Sequence, residues 1–216
     1  MKVIIISDPE AVDQEAVAIN ALFEEGLQTF HVRKPTYEKT ELENVLLSIK
    51  PKFLKRIVIH SHYELIDRYN LKGIHFPERI LLDFKDGTNY IKKLQKKGMT
   101  VSTSFHSIEM LSNNAIPFNY VFLSPVFESI SKPGYKGNID ITDLPAYVAT
   151  TKRRPELIAL GGIEKSKILE IENIGFDGFA LLGNIWNDYK ESADLDRLIE
   201  KFKNIIEITN LHARQA

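Results

Sequence analysis

Short runs of β-branched and aromatic residues alternate along the chain with longer stretches whose apolar positions return every three or four residues. The short runs predict strands over Lys2–Ser7, Thr29–Arg33, Arg56–Ser61, Gly73–Phe76, Thr100–His106, Tyr120–Val126, Glu156–Gly161 and Gly178–Gly183. The amphipathic stretches predict helices over Asp13–Glu25, Lys39–Ile49, Tyr63–Tyr69, Asn89–Lys97, Ser107–Leu111, Ile141–Ala149, Lys165–Glu172 and Asp194–Ile208. Strict alternation argues for parallel strands joined by helical crossovers. Eight such units predict an α/β fold closed into a (β/α)8 TIM barrel. An open doubly wound sheet is the rival, but its glycine fingerprint after the first strand is replaced by Ser7-Asp8-Pro9.

The alternation fills the chain without a linker, so the expectation is a single barrel domain over residues 1–210 with a tail over 211–216. A long irregular stretch, Glu128–Asp140, has the Ser, Lys, Pro and Gly content of an active-site loop. With 216 residues, 44% of them apolar, the chain can fill one large core. Its formal net charge of −1 gives no bias towards nucleic acid or anionic membranes, so neither is expected as a partner. There is no cysteine, which excludes disulfides and thiol chemistry and fits a cytoplasmic protein. The first apolar run is too short for a signal peptide, and no run approaches the length of a membrane span.

Chemistry in such barrels belongs to the C-terminal ends of the strands. Polar residues gather there: His31 and Arg33, His60 to His62, His75 and Glu78, Ser102 to His106, and Ser124. His31 and Arg33 share a strand face and suit an anion. The plainer alternatives are an ion pair for Arg33 and a hydrogen-bonded core role for His31. His60-Ser61-His62 offers two imidazoles at H-x-H spacing, which His75 and Glu78 could complete as a metal site; the plainer reading starts a helix at His62. For Ser104 and His106 the alternatives are helix capping and core polarity. The last two strands end on Gly161-Gly162 and on Gly183-Asn184, where exposed backbone N–H groups can cradle a phosphate. A phosphorylated small molecule is the expected ligand.

Several segments in this order resemble the thiamin phosphate synthase family, which includes a thiazole tautomerase branch. They are His31-Val32-Arg33, Gly73-Ile74-His75, Ser104-Phe105-His106, the block from Ser124 to Pro133, Ala159–Ile163 and Gly178–Ile185. The resemblance spans nearly the whole chain, and the block after strand six is its most specific part. It implies a role in thiamin biosynthesis: a transferase that joins hydroxymethylpyrimidine diphosphate to thiazole phosphate and releases diphosphate. By that resemblance Arg33 and Lys132 hold the diphosphate, with His31 and His106 as further catalytic candidates. Ser104, Ser129, Ser131 and His60 contact substrate, and the N–H groups of Gly162, Gly183 and Asn184 bind the thiazole phosphate. No organic cofactor is implied, and a homodimer is an open alternative.

The chain also departs from the synthase pattern. The Asn-Asp pair expected after strand three reads His60-Ser61, and the aspartate expected after strand four is Ile80. Magnesium takes carboxylates and waters, so Glu78 is the remaining plausible ligand and Mg2+ a doubtful cofactor. The lysine expected two residues past the strand-two arginine is Pro35, with Lys34 adjacent. His31 in place of a glutamine is closer to the tautomerase branch, whereas the histidine of some tautomerases after strand six is Pro125 here. Two alternatives to the synthase follow. One is an isomerase with His31, His60 or His106 as acid–base group; the other is a binding barrel without turnover.

Overall fold

A computed structural model describes residues 1–81, 87–128 and 139–213. Eight strands pair in chain order and close into a parallel barrel: β1 (Lys2–Ile6), β2 (Phe30–Val32), β3 (Ile57–Ile59), β4 (Gly73–Phe76), β5 (Thr100–Phe105), β6 (Tyr120–Leu123), β7 (Glu156–Leu160) and β8 (Gly178–Leu181). Helices follow the strands: α1 (Glu15–Glu24), α2 (Lys39–Ser48), α3 (Leu65–Tyr69), α4 (Glu78–Leu81), α5 (Gly87–Lys96), α6 (Ile108–Ser112), α7 (Leu144–Thr150), α8 (Ile168–Ile174), α9 (Gly183–Ser192) and α10 (Leu195–Ala213). The (β/α)8 fold expected from the alternation is present. Strands buried along both faces, as in β2, β3 and β4, are what parallel strands under helical cover require.

Two α-helices among the described residues escape the sequence reading. α4 is a single turn after Pro77, and α9 begins at Gly183, inside the run read as a strand end. All the strands except β4 also stop short of their expected C-terminal ends. Arg33, Ser61 and His106 therefore lie in the loops that leave β2, β3 and β5.

The chain divides into two compact units, one of Met1–Lys2 with His75–Ala180, the other of Val3–Ile74 with Leu181–Ala216. In the first, β5, β6 and β7 share a continuous register, from Ser102 opposite Tyr120 to Leu123 opposite Ala159. In the second, Phe30 on β2 packs edge-on against Phe23 of α1 and against Trp186 of α9, with ring centroids 6.2 and 6.3 Å away. Since successive side chains of a strand face opposite ways, Phe30 turned to the helices puts His31 on the opposite, inner face.

Trp186 is fully buried, and its indole N–H donates to the carbonyl of Ile6 at 2.7 Å. This bond ties α9 to the end of β1. Trp186→Phe removes the donor but keeps most of the apolar surface. It is expected to destabilise the protein by about 1–3 kcal/mol, because a buried carbonyl loses its side-chain partner. Urea unfolding followed by circular dichroism checks this, since Trp186 is the sole tryptophan and fluorescence would vanish with it.

Candidate active site

In the unit of Val3–Ile74 and Leu181–Ala216, the ends of β1 and β2 are locked together. Arg33 N–H donates to the Ser7 hydroxyl at 2.8 Å, and that hydroxyl donates to the Arg33 carbonyl at 3.1 Å. Lys34, 1% exposed, points inwards. Its ammonium lies 2.7 Å from Glu15 Oε2 and 2.6 Å from the carbonyl of Glu10. Burial pushes the Glu15 carboxyl above its ordinary value, and Lys34 offsets that rise only in part. Arg33 itself is exposed, and no acidic side chain among the described residues pairs with its guanidinium. The outcome at β2 is one outward cation and one buried cation already neutralised. The adjacent Lys34 does not stand in for the lysine that Pro35 displaces.

The fully buried His31 ring places Nδ1 2.9 Å from Nε2 of His60, with the rings steeply inclined at 73°. At that distance one imidazole donates and the other accepts, so the pair holds a transferable proton. His62 does not join them. It adopts a left-handed backbone, φ 50°, and its Nε2 lies 2.9 Å from the carbonyl of Tyr37. The H-x-H reading assumed an extended strand through His62, but β3 stops at Ile59 and the two rings part.

Gly183 and Asn184 open α9. The first helical bonds run from Ile185 and Trp186 to the carbonyl of Leu182, so the N–H groups before them are the orphan donors of a helix start. Such a terminus favours an anion. Asn184 Oδ1 is buried there without a hydrogen-bond partner among the described residues.

In the unit of Met1–Lys2 and His75–Ala180, the buried His75 bridges two serines of β5. Its Nδ1 lies 3.0 Å from Ser102 Oγ and its Nε2 3.1 Å from Ser104 Oγ, while the ring stacks on Phe122. Ser104 is thus held by a neighbouring strand. His106 stands past β5, more than half exposed, with Nδ1 2.5 Å from the carbonyl of Ser124 and Nε2 3.7 Å from Glu78 Oε2. The end of β7 has a demanding backbone: Gly161 and Gly162 have φ of 97° and 64°. A Cβ on Gly161 would sit 2.8 Å from Pro125 Cβ, and one on Gly162 would meet Phe127 Cβ at 2.7 Å and the carbonyl of Glu128. The double glycine therefore has a packing reason, besides whatever anion its amides could bind: the segment after β6 crosses directly over it. Ser129, Ser131 and Lys132 lie outside the described residues.

The family model for thiamine monophosphate synthase matches residues 3–185, from β1 to the first turn of α9. The chain belongs to the thiamine monophosphate synthase family. A solved thiamine phosphate pyrophosphorylase from Bacteroides thetaiotaomicron is 31% identical, covers 98% of both chains and superposes with a TM-score of 0.77. A thiamine-phosphate synthase from Dictyoglomus turgidum is 26% identical over 86% of this chain and 83% of its own. The thiamine phosphate pyrophosphorylase of Pyrococcus furiosus, 17% identical over 95% of each chain with a TM-score of 0.69, shows the shared fold. No helix among the described residues of this synthase-family chain is long and apolar enough to cross a membrane.

Magnesium, which the family resemblance implies, finds a poor donor set among the described residues of this member. Ser61 and Ile80 stand where the resemblance expects aspartates. Glu78 faces His106, and Glu64 is turned to Lys39 at the surface, 3.3 Å away. A hard cation that wants several oxygens at once is not served by one carboxylate beside an imidazole. Asp83 and Asp86 lie outside the described residues.

Sequence reasoning passed over Ser7 and Glu15. Neither carries a motif, and each gains its role from a partner at least 19 residues away.

Proposed function

We propose that this protein makes thiamin phosphate by joining a pyrimidine methyl diphosphate to a thiazole phosphate. The observation that carries the reading is Arg33: an outward guanidinium without an acidic partner among the described residues, rooted at the end of β2 in a synthase-family barrel. In the coupling the methylene C–O bond breaks and its electron pair leaves on diphosphate. The thiazole nitrogen then donates its lone pair to the methylene carbon and forms the C–N bond. Negative charge grows on the departing oxygen, and a fixed cation there lowers the barrier.

Arg33 is assigned to that charge, with Lys132 as its counterpart from the loop after β6. The thiazole phosphate is assigned to the backbone N–H groups of Gly162, Gly183 and Asn184, and substrate hydrogen bonds to Ser104, Ser129 and Ser131. His75 orients Ser104 for this. A cytoplasmic location and a single barrel domain over residues 1–210 go with the reading.

The second reading is an isomerase that moves a proton on a thiazole phosphate carboxylate, and the His31–His60 pair favours it: two imidazoles 2.9 Å apart can take up and return one proton. His106, exposed beside Glu78, is the weaker acid–base candidate.

Coupling and tautomerisation should be assayed side by side, with magnesium and with chelator. The expected result is coupling, no tautomerisation, and weak or undetectable magnesium binding by calorimetry in the absence of diphosphate. Tautomerisation alone, with a histidine pH profile, would replace the synthase by the isomerase. Ligand binding without either turnover would leave only a binding barrel.

A further inference from the structure

We propose that Ser7 is a positioning residue for Arg33, fixing where the anion-facing guanidinium stands; this rests on the diphosphate role given to Arg33 above. β1 and β2 pair in parallel, with Ile5 N–H donating to the Thr29 carbonyl at 3.3 Å and Ser7 N–H to the His31 carbonyl at 2.9 Å. In a parallel ladder the next rung would run from Arg33 N–H to the carbonyl of Ser7. The Ser7 hydroxyl takes that rung instead and returns its own proton to the Arg33 carbonyl. One side chain thus holds both backbone polar groups of Arg33.

Ser7 is 1% exposed, so water does not compete for these bonds. On the far side, the chain is held by Lys34, whose buried ammonium is fastened to Glu15 and to the Glu10 carbonyl. Arg33 is therefore an exposed residue between a strand and a buried anchor, with its own peptide groups clamped. The Cα–Cβ direction is set before any ligand arrives. A long flexible cation rooted this way has less to lose on binding, and small misplacements of such a group are costly to rate.

The test compares Ser7→Ala, Ser7→Thr, Arg33→Ala and the Ser7→Ala/Arg33→Ala double variant. Affinity for inorganic pyrophosphate by calorimetry and the kcat of coupling are the readouts. Ser7→Ala is expected to lower both by about three- to tenfold, the scale of one or two lost hydrogen bonds. Ser7→Thr, which keeps the hydroxyl, should restore them. In the Arg33→Ala background Ser7→Ala should have no further effect, because a residue acting only through the guanidinium is silent once it is gone.

An effect of Ser7→Ala that persists undiminished without Arg33 would reduce Ser7 to a structural residue and overturn the proposal. So would unchanged affinity and kcat in Ser7→Ala beside a clear loss in Arg33→Ala. If Arg33→Ala itself changes neither, the diphosphate role fails first and the proposal falls with it; that single variant separates the two failures. Should Ser7→Ala not fold, Ser7→Cys keeps the shape while weakening both bonds, and the same comparisons apply.

Discussion

Arg33→Ala is expected to lower the turnover of coupling by between about tenfold and a thousandfold, and to weaken ground-state binding of the pyrimidine diphosphate less than that. The asymmetry follows from when the charge is needed. The diphosphate is already anionic in the ground state, but it gains a further negative charge as the C–O bond breaks. A cation that stands in place throughout is worth most at that moment. Arg33→Lys should recover only part of the loss, because an ammonium presents one point of charge where the guanidinium presents a fork. Steady-state kcat, with calorimetry of inorganic pyrophosphate, measures both quantities. Equal turnover in wild type and Arg33→Ala would remove Arg33 from the chemistry and leave the proposed transferase without its anchor.

Gly162→Val is expected to destabilise the protein by about 3–5 kcal/mol, the range for overpacking against backbone combined with a strained dihedral. Two costs add. The left-handed backbone at φ 64° resists a β-branched side chain, and the new Cβ has to enter space held by Phe127 Cβ and the Glu128 carbonyl. Neither neighbour is the tip of a flexible side chain, so relief needs the chain after β6 to move. Urea unfolding by circular dichroism should show the lowered midpoint, with Gly162→Ala intermediate. A midpoint equal to wild type would mean that the segment over Gly162 yields freely. Since the same backbone amide is assigned to the thiazole phosphate, ligand affinity should fall together with stability.

The eight strands were legible because each is a short apolar run closed by a polar or glycine residue, and a parallel barrel needs little else from its strands. α9 was not. Its sequence, Gly183-Asn184-Ile185-Trp186-Asn187-Asp188-Tyr189, begins on the glycine that closes the strand run, and only Ile185, Trp186 and Tyr189 of its residues are buried. Local pattern gave it too narrow an apolar face. The histidines were legible as a cluster of polar groups at strand ends, but not in their pairing. His62 was set apart by a left-handed turn that no periodicity signals. Lys34 was hardest. Beside Arg33 it reads as a second cation, and its burial is decided by Glu15, on a different element and 19 residues earlier. Chemistry set by distant partners stays hidden in one sequence, while chemistry set by spacing does not.

The buried Lys34–Glu15 pair also shapes what an approaching anion feels. Two basic side chains in succession suggest a doubled field at the end of β2, yet one of them is cancelled inside the protein. Among Arg33 and Lys34, a single unit charge projects outwards there. At physiological ionic strength mobile ions screen such a charge over about 8 Å. Capture of anions at β2 is then a short-range affair. Guidance over longer distances has to come from charges elsewhere on the surface, and a net charge of −1 gives the molecule as a whole no pull to offer.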